Sequence, residues 1–273
     1  VATANSVHYC GGQVDFVDIN PETFNMCPKA LERKLEMAAV NGVLPKIVIP
    51  VHMAGQSSDM AAIWQLSRKY GFKVIEDASH AIGAEYKGGR VGSCQFSDIT
   101  VFSFHPVKII TTGEGGMAVT NDESLADRLR LLRSHGVTRD TNAMQDKEQG
   151  EWYYEMQDLG FNYRLTDIQA ALGLSQISKL SLIIERRGQI AERYNQMLSH
   201  ENLELPITSA DCLSAFHLFI VRLKEASRRP EIFQALRDNG IGVNVHYIPV
   251  HLHPYYKALG FQSGDFPVAE DYY

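Results

Sequence analysis

The 273-residue chain carries 26 Lys and Arg against 32 Asp and Glu, a net charge of −6, and 45% of it is hydrophobic. That balance suits a globular chain with a core large enough for one large domain or two unequal ones. It argues against a polyanion-binding surface, which needs basic patches. The ten histidines are scattered, and no HExxH or paired Cys-His spacing points to a metal. Cys10, Cys27, Cys94 and Cys212 lie far apart without a CxxC, so reduced thiols in a cytoplasmic protein are expected. Apolar runs such as Lys46–Val51 are strand-length and too short to span a bilayer.

The first two-thirds alternate short β-rich runs with amphipathic helices, the pattern of a mainly parallel sheet covered by helices. Val14–Asp18 reads as a strand. Pro28 then opens a helix to about Ala39, since proline at the first helical position gives up no needed N–H. Lys46–Val51 reads as a strand. Ser58–Tyr70 reads as a helix with a Ser/Asp cap at its start and Gly71 at its end. Lys73–Glu76 is the next strand, with Asp77 at its C-terminal end. Ile99–Phe104 and Met117–Thr120 continue the sheet, and Asp122–Ser134 is a helix. Asp140–Asp158 is polar, lacks periodicity and reads as a loop. A helical stretch from about Thr166 to Leu198 follows, with apolar residues three and four apart. The remainder has strand–helix–strand character over Ala215–Leu223, Pro230–Asn239 and Gly242–Tyr247, as in a smaller domain joined through the long helix. This organisation implies an α/β enzyme without saying which one.

Two elements carry chemistry. Val74-Ile75-Glu76-Asp77 places an acid at the C-terminal end of a buried strand, the end where α/β sheets bind ligands. An aspartate capping the following turn is the competing reading. Ser103-Phe104-His105-Pro106-Val107-Lys108, followed by Thr111-Thr112-Gly113-Glu114-Gly115-Gly116, places a lysine on an irregular turn after a strand. A lone lysine is usually a surface charge, but Pro106-Val107 and Ile109-Ile110 flank this one with apolar residues. Burial would lower its pKa and free the amine to attack an aldehyde. Neither GxGxxG nor GxxxxGK[ST] occurs, so the glycines do not mark a nucleotide loop. Pyridoxal 5'-phosphate (PLP) would make one site of these elements. It needs a Schiff-base lysine, here Lys108, and a carboxylate at the pyridine nitrogen, here Asp77. It also needs phosphate donors such as Ser103.

The stretches EDASHA-IGAEYKG, SDITVFSFHPVKIITTGEGG and LGFNYRLTDIQAALG together resemble the DegT-type sugar-nucleotide aminotransferases, a branch of fold-type I PLP enzymes. The His80 variant and the SFHPVK wording are most similar to the subgroup making 4-amino sugars for pseudaminic acid. The resemblance runs over essentially the whole chain. It implies that Lys108 forms the Schiff base and moves the proton, that Asp77 pairs with the pyridinium nitrogen and that Ser103 binds phosphate. Position 80 would lie near the cofactor's 3'-oxygen, where many relatives carry Gln. His80 can also donate there, with an imidazole expected to titrate near neutral pH. Asn162 matches a residue that reaches the phosphate in the neighbouring subunit, which implies a homodimer with shared sites. The residues alone leave it as a turn-holding Asn before the helix. His246 and Tyr247 resemble the substrate-facing segment, with a packed His and a strand Tyr as the alternative.

The fold implied is thus a large PLP-binding domain over 1–175 and a smaller C-terminal α+β domain over 176–273. Members usually carry about a hundred residues before the segment that starts at Val1, a small domain's worth. They also continue past the position of Tyr273, so both domains are expected to be incomplete. The absent part would supply a Gly-Thr phosphate loop and a ring-stacking aromatic, and weak PLP binding by this chain is expected. The function implied is transfer of an amino group, with glutamate as donor, to the 4-keto carbon of a nucleotide-linked 6-deoxy sugar. A C3 or dTDP-sugar transaminase of the same family is the nearer rival, and a catalytically incomplete structural or regulatory fragment the more distant one. The dehydratase branch, with His in the lysine's place, is disfavoured by Lys108. Neither a nucleic-acid nor a membrane partner is expected.

Overall fold

The computed structural model describes residues 1–146, 148–199 and 202–273. A short helix α1 (Ala2–Tyr9) precedes α2 (Pro28–Val40), which has Pro28 in its first turn as the sequence predicts. Strand β1 (Ile47–Val48) leads to α3 (Met60–Tyr70). The Asp59 carboxylate accepts from the Ala62 N–H at the start of α3, and Gly71 closes it in the left-handed region at φ 80°. Next come β2 (Lys73–Asp77), the tight hairpin β3 (Glu85–Tyr86) and β4 (Gly89–Arg90), then β5 (Ile99–Ser103) and β6 (Gly116–Val119). Helix α4 (Glu123–Arg133) begins at Asp122, whose side chain accepts from the N–H groups of Ser124 and Leu125. Beyond it lie β7 (Val137–Thr138), β8 (Glu155–Met156), α5 (Asp167–Ile177), α6 (Leu180–Leu198) and β9 (Leu203–Glu204). The chain continues through β10 (Cys212–Leu213), β11 (Arg222–Leu223), α7 (Arg229–Asp238), α8 (Pro254–Ala258) and α9 (Pro267–Tyr272).

The central sheet has the order β1-β2-β5-β6. β1, β2 and β5 run parallel, and β6 returns antiparallel to β5. Asp77 is paired with Val101 in register, and an isolated bridge joins Val51 to Asp77. The C-terminal ends of β2 and β5 therefore open side by side. Two apolar clusters support this edge. Leu31, Leu35, Met60, Ile63, Val74 and neighbours fill the space between α2, α3 and the sheet. Ala78, Ala81, Phe102, Phe104, Ile109, Ile110 and Ala215 lie under the segments that leave it. No helix among the described residues is long and apolar enough to cross a membrane.

Several expectations are corrected. Residues 14–18 form no strand, because their polar groups are used elsewhere. The Asp18 carboxylate accepts from the backbone N–H groups of Val268 and Ala269 and so caps α9, and only the bridge Ile19–Met26 remains of a ladder. The 166–198 stretch is two helices. Ser178 Oγ donates to the Ser175 carbonyl at 3.0 Å and the Lys179 N–H bonds Gln176, a tightened turn that ends α5 before α6 starts. Of Ala215–Leu223 only β11 is a strand, and Gly242–Tyr247 forms no strand. Ala215 and Leu218 instead donate to the carbonyls of Gly55 and Ala54. The 140–158 loop contains β8, which pairs with β7; Lys147 within that loop lies outside the described residues. β10 pairs antiparallel with β3, so the chain returns to the hairpin beside the sheet.

Candidate active site

Asp77 ends β2 with both backbone groups engaged. Its N–H donates to Pro50 at 2.9 Å and its carbonyl accepts from His52 at 3.0 Å. Alternation along the strand turns its side chain away from that of Glu76. Glu76 joins a buried pair in which the Ser58 N–H donates to His52 Nδ1, so His52 Nε2 carries the proton that Glu76 accepts at 3.1 Å. On the other face Asp77 Oδ1 accepts from the Ser79 N–H at 3.1 Å, and Oδ2 accepts from the Thr3 hydroxyl at 2.7 Å. Burial alone would raise this carboxyl, but donation from Ser79 and Thr3 outweighs it and holds the group below its ordinary range.

Lys108 lies on the turn that follows β5, with its N–H on the His105 carbonyl at 2.9 Å. Ile109 and Ile110 are buried and pin the turn to the core, while Val107 is exposed. The Lys108 side chain is half-buried. Burial lowers its amine from the usual lysine value, and the negative charge of Asp77 opposes that shift. Ser103 is the last residue of β5, and its Oγ accepts from the His105 N–H at 3.4 Å.

His80 is 8% exposed and its ring centroid lies 4.4 Å from that of His217. The Nδ1 atoms of both rings are buried and have no hydrogen-bond partner among the described residues. Burial, with Lys108 adding positive charge, pushes His80 down to about 4, so the expected titration near neutral pH is corrected: this imidazole is neutral there. His217 is pushed to about 3 by burial and by His80, Lys108, Arg187 and His246. The Arg187 guanidinium holds the segment by donating to the carbonyls of Phe216 at 2.9 Å and His217 at 3.3 Å. Gly55 permits the approach: its φ is 107°, and a Cβ there would stand 2.9 Å from the backbone nitrogens of Phe216 and His217.

Tyr247 places its ring 6.4 Å from His80, and His246 packs edge-on against Tyr247 at 4.6 Å. Burial lowers the His246 imidazole and raises the Tyr247 phenol. The Tyr272 hydroxyl fixes this segment by donating to the His246 carbonyl at 2.6 Å. Asn162 is exposed and bridges to Ser134, and no polar contact joins it to Asp77, His80 or Lys108 among the described residues. Thr3, Gly55 and His217 are neighbours that the sequence reading missed. A positive φ after His52 leaves no mark but a glycine, and nothing local to Thr3 or His217 shows what they touch.

The donor set fits PLP. A carboxylate held with its charge, a lysine eased toward its neutral amine and a buried imidazole nitrogen with no partner stand at one sheet edge. Among the described residues no group of three or more His, Cys, Asp or Glu side chains is placed to hold a metal ion. His217 also lines a groove of about 630 Å³ beside α6, with Leu182, Ile183, Ile190 and Tyr194 among its walls.

A parallel-containing sheet with helices around it and such a site at its C-terminal edge is the architecture of fold-type I PLP enzymes. The chain belongs to the DegT/DnrJ/EryC1/StrS aminotransferase family, whose model matches residues 1–273. This is a family of PLP-dependent sugar aminotransferases. The chain is 41% identical over 278 residues to the spore coat polysaccharide biosynthesis protein SpsC of Bacillus subtilis, covering 100% of this chain and 69% of that one. It is 38% identical over 261 residues to a UDP-4-amino-4,6-dideoxy-N-acetyl-beta-L-altrosamine transaminase of Campylobacter jejuni, covering 94% of this chain and 65% of the relative. The structure of Helicobacter pylori PseC, an aminotransferase involved in the biosynthesis of pseudoaminic acid, superposes with a TM-score of 0.88 at 32% identity. That superposition covers 100% of this chain and 69% of PseC. The chain thus spans about two thirds of the length of these relatives.

Proposed function

We propose that the chain is a PLP-dependent aminotransferase that converts a nucleotide-linked 4-keto-6-deoxy sugar to the 4-amino sugar, with glutamate as donor. The observation that carries it is the Asp77 carboxylate, held by two donors at the edge where the Lys108 amine is desolvated. The name of the Campylobacter relative supports the 4-amino sugar, and that of the Helicobacter structure supports an aminotransferase of sugar biosynthesis.

Bound PLP supplies the electron sink for moving an amino group between carbons. Lys108 would hold it covalently through Nζ and, once displaced by an amine substrate, take up and return the proton at that same atom. Its lowered pKa leaves more of the free amine for both tasks. Asp77 would set its negative charge against the ring nitrogen and keep it protonated. His80 would offer a hydrogen bond to the ring oxygen from a neutral imidazole, which keeps a second cation away from Lys108. Ser103 would donate to the phosphate. His246 and Tyr247 would face the sugar nucleotide, supported by their packing beside His80.

Asn162 would reach the phosphate in a second copy of the chain, making a homodimer with shared sites. Trp152, Leu159, Phe161, Tyr163 and Ile168 are exposed large apolar side chains in and around its segment, which favours burial against a partner. A cytoplasmic setting belongs to the same proposal, in keeping with four free thiols.

The test is reconstitution of the full chain with PLP. The wild type should gain the absorbance of a lysine-bound cofactor, and Lys108→Ala should not. A Lys108→Ala chain with the wild-type spectrum would sink the assignment. Supplying candidate keto-sugar nucleotides to the aminated form then decides between C4 and C3 transfer and between UDP and dTDP carriers.

A further inference from the structure

The geometry of Asp77 is set from two places in the chain. The Ser79 N–H reaches Oδ1 at 3.1 Å from two residues away, a local turn contact of the kind Asp side chains make. The Ser79 side chain also lowers the carboxyl, but all of this comes from within one turn, and terminal torsions of this kind have wide, two-fold wells. The second oxygen is fixed from 74 residues away by the Thr3 hydroxyl at 2.7 Å, in α1. An ionised carboxylate can accept both contacts at once, from the backbone N–H at one oxygen and from the Thr3 hydroxyl at the other.

α1 is itself anchored so that Thr3 can do this. The Tyr256 hydroxyl donates to Asn5 Oδ1 at 2.6 Å, and Tyr256 is 2% exposed. Residues 3 and 5 lie roughly 200° apart around a helix, so the two contacts pin α1 from opposite sides. Ala4, between them, is buried. The helix is held between Tyr256 and the end of β2.

We propose that Thr3 is a positioning residue for the cofactor: by donating to Asp77 Oδ2 it holds the carboxylate in one orientation and in its ionised form against the ring nitrogen of PLP. This rests on the PLP reading above. Two accepted bonds leave lone pairs on the carboxylate free for that partner. Hydrogen bonds to a charged group are about twice as strong as neutral ones, so removal of the hydroxyl should be felt at the cofactor.

Thr3→Val keeps the branched shape and removes the donor, and Thr3→Ser keeps the donor. In the full chain, PLP affinity is read by absorbance titration and the state of the ring by the ¹⁵N signal of ring-labelled PLP. Thr3→Val should weaken PLP about tenfold, the worth of one hydrogen bond to a charge. It should also move the ¹⁵N signal toward the unprotonated ring, while Thr3→Ser stays close to wild type in both. Asn5→Ala loosens the same helix but leaves the Thr3 donor in place, so it should shift the ¹⁵N signal in the same direction and less far. Thr3→Val with the wild-type affinity and signal, Thr3→Ser that behaves as Thr3→Val, or Asn5→Ala that shifts the ¹⁵N signal as far, would each overturn the proposal. Failure of the PLP reading looks different: wild type and Lys108→Ala would then give the same spectrum, and both conclusions would fall.

Discussion

His217 lies against His80, with ring centroids 4.4 Å apart, planes tilted by 43°, and neither Nδ1 bonded among the described residues. Two imidazoles this close, near Lys108 and Arg187, cannot both carry a proton without strong repulsion. Burial is the larger cause, and it keeps both neutral.

This gives stability a pH dependence. The folded values of about 4 for His80 and about 3 for His217 lie below the ordinary 6.5, so the unfolded chain takes up protons first as pH falls. Their contribution is fully present above pH 6.5 and is lost as pH falls through about 4 for His80 and about 3 for His217. His80→Gln removes its share, up to about 3 kcal/mol, and should flatten the fall of Tm between those values. An unchanged slope in His80→Gln would show that the pair carries no such linkage.

Gly55→Ala tests how the pair is assembled. The added methyl meets the backbone nitrogens of Phe216 and His217 at 2.9 Å from a φ of 107°, where no side chain can yield. Denaturant unfolding should show a loss of about 1–3 kcal/mol. The near-neutral silence of His80 should be disturbed with it, visible as a raised imidazole titration by NMR.

Behind the site, the buried His52–Glu76 pair holds the segment whose N–H bonds the Asp77 carbonyl. Glu76→Ala leaves the His52 Nε2 proton without its acceptor in a side chain of 0% exposure. The expected loss is about 2–3 kcal/mol by chemical denaturation. Glu76→Gln, which still offers an oxygen, should lose less.

Asp77→Asn keeps size and can still accept from the Ser79 N–H through its one oxygen, with its amide donating to the Thr3 hydroxyl in place of Oδ2, but it has no charge for a ring nitrogen. Transamination should fall at least about 100-fold, the scale of losing one preorganised electrostatic contact. A variant within a few-fold of wild type would reduce Asp77 to the turn cap that its position also allows.

Shared sites predict complementation. Lys108→Ala and Asn162→Ala chains, each inactive alone, should regain about a quarter of the wild-type rate when mixed and reassociated, since half the dimers then hold one intact site of two. No recovery would place Asn162 back in its own turn.

What the sequence determined by itself is local or carried by motif. The Ser/Asp cap before α3, the helix starting near Asp122, the Gly71 stop, the strand ending at Asp77 and the turn bearing Lys108 were all legible, because propensity, capping and alternation act over a few residues. The sequence alone also brought Asp77 and Lys108 to one sheet edge, since neighbouring parallel strands end together. It misjudged segments whose hydrogen bonds go to distant partners. Residues 14–18 gave up a ladder to cap α9, and 215–218 bonded to residues 54 and 55. Only the tertiary structure decided that His80 is neutral, because its charge state depends on burial and on His217 and Lys108. Only the tertiary structure decided that Asp77 is held by Thr3. Desolvation and long-range donation depend on which surfaces meet, and that is not written in any window of sequence.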